Sequence, residues 1–82
     1  MPYIYVLRSQ RNNKRYVGST HLHPEERLKQ HNFGANQFTN RNRPFELIYH
    51  EEFDIMKEAR EREKFLKSGV GRKFLDEILK NK

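Results

Sequence analysis

The chain opens on Tyr3-Ile4-Tyr5-Val6-Leu7, a run of aromatic, β-branched and aliphatic side chains. Such residues favour an extended strand over a helix. A period of two puts Tyr3, Tyr5 and Leu7 on one face and Ile4 and Val6 on the other. The polar stretch Ser9 to Lys14 follows, with an Asn12-Asn13 pair suited to left-handed turn geometry. Strand character resumes at Arg15 to Ser19, so the two runs read as a hairpin.

After Gly18 the period changes. Pro24 suits the first turn of a helix, and Glu25 and Glu26 complement the positive end of its dipole. That helix runs to about Phe33, and Gly34 is placed to end it in a left-handed conformation. Residues 34–44 show no periodic hydrophobic positions and read as one long irregular loop. Its Arg41 and Arg43 are either phosphate contacts or incidental charges of a solvated loop. Phe45 to Phe53 reads as a third strand, and Asp54 as the cap of a helix from Ile55 to about Lys67. Ile55, Met56, Ala59 and Leu66 mark the buried side of that helix. After Ser68-Gly69, a last helix from about Gly71 to Leu79 carries Phe74, Leu75, Ile78 and Leu79 at amphipathic spacing. The order strand, strand, helix, strand, helix, helix predicts an α+β fold, a three-stranded antiparallel sheet flanked by three helices. Residues 1–82 are expected to form a single domain.

Composition adds a partner class. Of 82 residues, 34% are hydrophobic and 34% charged, so the core is small and most of the chain is surface. Seventeen Lys and Arg against eleven Asp and Glu give a net charge of +6, a field that attracts polyanions. The competing explanation is charge that keeps the chain soluble. With no cysteine, neither a disulfide framework nor a thiolate metal site is available. The apolar opening run is too short for a membrane span and lacks a signal-peptide layout. The expectation is a cytoplasmic monomer without a membrane partner.

Two helical positions carry candidate chemistry. Arg27 and His31 are four apart and share one face of the first helix. Glu63 borders the apolar stripe of the second, where a carboxylate is costly unless paired or holding a cation. It is also four residues from Lys67, and on spacing alone a plain surface ion pair is the favoured account. Arg62 lies beside the same stripe, so position alone does not single out Glu63. His21, His23 and His31 lack a second ligand cluster at zinc-finger spacing.

Tyr3-Ile4-Tyr5 and Tyr16-Val17-Gly18 resemble the two signature tripeptides of the GIY-YIG nuclease superfamily, which lie on such a hairpin. Tyr3 stands where the first glycine is expected, a departure common in small stand-alone members. Ala59-Arg60-Glu61-Arg62-Glu63-Lys64-Phe65-Leu66-Lys67 is similar to the segment around the family's metal ligand and places that ligand at Glu63. The family's first-helix arginine matches Arg27, and the histidine one turn later matches His31. The similarity covers nearly the entire chain and extends to the amino-terminal nuclease domain found in the bacterial ABC excinuclease, which implies DNA repair.

The resemblance implies a metal-dependent DNA endonuclease. Tyr16 is then the general base, Arg27 the phosphate contact, and Glu63 the ligand of Mg2+ or Mn2+; Tyr5 and His31 position water or phosphate. A phenol titrates near 10, so half ionisation at pH 7 needs about 4 kcal/mol of selective phenolate stabilisation. Lys14, Arg41, Arg43, Lys67, Arg72 and Lys73 are the expected nucleic-acid contacts, with branched, nicked or single-stranded DNA as substrate. The alternative is a nucleic-acid-binding module of the same fold with little or no turnover.

Overall fold

The computed structural model describes residues 1–80. Strand β1 (Tyr3–Ser9) lies at the centre of the sheet, with β2 (Arg15–Thr20) and β3 (Phe45–Glu52) antiparallel on either side, in the order β2-β1-β3. The hairpin turn is closed by the Ser9 amide donating to the Lys14 carbonyl at 2.8 Å. Asn13 takes the positive φ of 64° that the Asn pair anticipates. The helices are α1 (Pro24–Asn32), α2 (Gln37–Asn42), α3 (Met56–Lys67) and α4 (Gly69–Leu79).

Alternation along β1 divides the interior into two layers. Ile4 and Val6, with Val17 of β2, pack against Ala59, Leu66 and Leu75 of α3 and α4. Tyr5 and Leu7 pack with Phe45, Tyr16, Leu28 and Leu47 on the α1 side. The third strand joins both layers because it changes face. Its register against β1 shifts between Val6 and Leu7, so Tyr49 opposes Val6 while Leu47 opposes Leu7. One extra residue, Ile48, reverses the alternation, as a bulge does. Leu47 therefore faces α1, whereas Glu51, opposite Ile4, faces α3 and pairs with Arg62 at 2.8 Å.

The predicted order of elements is observed, with one short helix inserted in the stretch read as irregular. Helix α2 forms there because Asn36 and Thr39 make a reciprocal capping box. Two helix starts also differ. Ile55 is the N-cap of α3 and 54% exposed rather than buried, Asp54 does not cap it, and α4 begins at Gly69 on a cap from Ser68. Gly34, at φ 85°, follows the end of α1 as expected. No helix among the described residues is long and apolar enough to cross a membrane.

Candidate active site

The expected residues lie along the outer edge of the sheet, around strand β2. Tyr5 is opposite Gly18 in the register and almost fully buried. Its ring crosses the bare backbone of Gly18; a Cβ there would sit 2.5 Å from the hydroxyl and 2.6 Å from Cζ. The absence of a side chain at residue 18 thus lets the Tyr5 hydroxyl reach the β2 edge.

Two groups on α1 meet that hydroxyl. Arg27 Nε donates to it at 3.3 Å, and His31 Nε2 shares a 2.7 Å hydrogen bond with it. Gln30 Oε1 accepts from Arg27 Nη1 at 2.5 Å and holds the guanidinium from the other end. His31 is completely buried, and burial, reinforced by the Arg27 charge, lowers its pKa to about 4. It is therefore neutral near pH 7. Its Nδ1 is buried without a hydrogen-bond partner. Leaving a bare lone pair there costs less than leaving a bare N–H, so the tautomer protonated at Nε2 is favoured. In that tautomer the Tyr5 oxygen accepts from both neighbours, and its own hydrogen is not used by either. Burial, opposed by Arg27, pushes the Tyr5 phenol up to about 12, so it is neutral near pH 7.

Tyr16 lies beside this group. Its ring centroid is 4.8 Å from that of His31 and 6.3 Å from that of Tyr5. Asn36, the N-cap of α2, donates from Nδ2 to the Tyr16 hydroxyl at 3.2 Å. Phe38 of the same helix stacks on the Tyr16 ring at 5.7 Å and 26°.

Glu63 approaches from the other layer. Ser19, opposite Ile4 and so on the α3 face, donates to its Oε1 at 2.6 Å. Lys67 Nζ donates to its Oε2 at 2.6 Å. The sequence allowed either an ion pair or a functional carboxylate, and the ion pair is formed. Acid and phenols thus lie on opposite faces of the sheet at the same edge strand, and the Glu63 charge is among those opposing ionisation of Tyr5. Arg62 turns away, over the rings of Phe65 and Phe74 at 5.1 and 4.8 Å.

Glu63 is the carboxylate this edge could offer a divalent cation, and both its oxygens are engaged by Ser19 and Lys67. Glu63 offers hard oxygens beside a concavity of about 430 Å3 that Ser19, Arg60, Lys64 and Lys67 also line. Among the described residues no three His, Cys, Asp or Glu side chains cluster into a metal cage. One carboxylate, with water and phosphate oxygens for the remainder, is a common Mg2+ arrangement.

The basic residues divide. Lys14, Lys67 and Arg72 line a groove with Tyr16, and Arg41 lines an adjoining concavity with Lys14. Arg43 donates to the Asn32 carbonyl at 3.4 Å, and Lys73 is exposed on α4. Ser19, Asn36 and Phe38 escaped the sequence reading. The Asn36-x-x-Thr39 capping pattern was the one available signal for the last two.

The GIY-YIG catalytic domain model matches residues 1–74. The chain belongs to the GIY-YIG family. The match covers β1 to the middle of α4, and so includes every residue around the β2 edge. Comparison with curated proteins and with solved structures gives no match. GIY-YIG domains are nuclease domains, and this membership supplies the reaction class to which the β2 edge has to be fitted.

Proposed function

We propose that this GIY-YIG domain is a metal-dependent endonuclease that hydrolyses DNA phosphodiester bonds at the β2 edge. The observation that carries the reading is the Arg27–Tyr5–His31 group beside the Tyr16 ring, with Glu63 across a strand that lacks a side chain at Gly18. Arg27, half-buried, meets a phosphate with its planar fork of donors. Tyr5 donates its free hydrogen to a phosphoryl oxygen or to the attacking water. Neutral His31 keeps the Tyr5 oxygen turned to accept, and so acts as a positioning residue.

Tyr16 takes the proton from water. Its hydroxyl oxygen accepts from Asn36 Nδ2, which fixes where that oxygen sits. Glu63, fixed by Ser19, holds Mg2+ or Mn2+, which when bound neutralises charge on the phosphate and lowers the pKa of water. Lys14, Arg41, Lys67, Arg72 and Lys73 draw in the DNA backbone, and Arg43 adds charge at the end of α1. The protein acts as a cytoplasmic monomer.

A second reading has one observation in its favour. Both Glu63 oxygens are already engaged, by Ser19 and Lys67, as they would be in a binding module that needs no metal. Supercoiled plasmid and branched DNA incubated with Mg2+ or Mn2+ separate the two. Nicking by the wild type, abolished by EDTA and by Glu63→Ala with DNA binding retained, is the expected result. Binding without nicking in both proteins supports the module, and nicking that survives Glu63→Ala removes Glu63 from the metal site.

A further inference from the structure

A groove of about 470 Å3 opens beside Tyr16. Val17, Leu66 and Leu75 form its apolar floor, and the rings of Tyr16 and Phe38 line it. Lys14, Arg15, Lys67 and Arg72 complete the lining, which contains no carboxylate. Arg15 is paired with Asp76 and Lys67 with Glu63, whereas Lys14 and Arg72 have no acidic partner among the described residues.

Phe38 is the unusual member. It is 37% exposed, yet its position is fixed: α2 is held by its capping box, and Phe45 backs the ring at 6.3 Å. Beyond Phe38 a second concavity of about 380 Å3 is lined by Lys14, Gln37, Arg41 and Asn42. An apolar slot with an aromatic wall and cations on both sides suits a flat ring carried on a polyanion. That description fits a nucleobase on its strand.

We propose that the groove takes one unpaired nucleobase of the DNA strand held at the site, laid on its apolar floor against the exposed part of the Phe38 ring, so that the domain favours single-stranded over paired DNA. The proposal rests on reading this face as a DNA nuclease site, and adds the form of DNA it selects. A paired base has both faces covered by its neighbours and enters only after flipping out of the stack, which costs free energy. An unpaired base enters without that cost.

The chain contains no tryptophan, so Phe38→Trp places a sole reporter in the groove. With EDTA present to prevent cutting, a single-stranded oligonucleotide should quench the indole emission on binding. A closed dumbbell duplex of the same sequence should bind, read by anisotropy, without quenching. Phe38→Ala and Phe38→Leu, checked for fold by circular dichroism, should each bind the single strand about 5- to 150-fold more weakly, the range expected for one lost aromatic contact to a base. Their affinity for the duplex should be unchanged. Failure to bind the single strand, bound strand that leaves the indole emission unaltered, or equal losses on strand and duplex, overturns the proposal. Quenching by a protein that cuts no DNA with Mg2+ counts against the nuclease reading and leaves the groove assignment standing.

Discussion

Substituting Gly18 by alanine tests whether the β2 edge is built around the Tyr5 ring. The new Cβ would lie 2.5 Å from the Tyr5 hydroxyl and 2.6 Å from Cζ. Ordinary contact begins at about 3.5 Å, so ring or strand has to move by about 1 Å. The ring has little room, because Tyr5 is 1% exposed and its hydroxyl is held by Arg27 and His31. Overpacking of this kind costs about 1–3 kcal/mol. For a domain of this size that is a fall in Tm of roughly 5–20 °C. The same displacement misaligns the site, where an error of about 1 Å lowers a rate about 100-fold. Thermal melts by circular dichroism and single-turnover cleavage of labelled DNA read the two effects separately. A Gly18→Ala protein that melts with the wild type and cuts at its rate refutes the claim that Gly18 is there to admit Tyr5.

Three further outcomes follow from the same geometry. His31 resists protonation down to about pH 4 in the folded chain, while an unfolded histidine titrates near 6.5. The unfolded state therefore binds more protons between those values, and stability falls as pH drops through them by about 3 kcal/mol. Urea unfolding across this window should show the loss, and His31→Gln should remove most of it; an unchanged slope contradicts the burial of a neutral imidazole. Asn36→Asp keeps an acceptor for the Thr39 amide but removes the donor to Tyr16, so stability should stay within about 0.5 kcal/mol. Cleavage should slow by about 2- to 10-fold, since the hydrogen bond that fixes the Tyr16 oxygen is lost; wild-type rates would separate Asn36 from the chemistry. Lys67→Met removes the cation that competes for Glu63 Oε2, so free Mn2+ measured by paramagnetic resonance should reveal about two- to fivefold tighter binding. Unchanged or weaker binding would show that Lys67 does not compete there.

What the sequence discloses depends on how local the cause is. The two faces of β1 follow from period-two alternation, and the layers of the interior bear them out for Ile4 and Val6 on one side and Tyr5 and Leu7 on the other. The end of α1 was readable because Gly34 alone decides it. Helix α2 was not, because six polar and aromatic residues carry no hydrophobic period, and a pair of side-chain caps starts it instead. The bulge at Ile48 left no mark in the pattern, yet it decides which face Glu51 takes. That placement in turn draws Arg62 away to Glu51 and leaves Glu63 the acid at the edge. Sequence position could not choose between Arg62 and Glu63, since the choice is made by a strand ten residues earlier.

The most direct test of the central claim is the single-turnover rate at which Mn2+-loaded wild type and Tyr16→Phe cut an end-labelled DNA strand, compared at equal DNA occupancy. If Tyr16 removes the proton from water, the variant should be slower by about 100- to 10,000-fold. Matched rates at matched occupancy would contradict the account, because water would then be activated without the phenol around which the β2 edge is arranged.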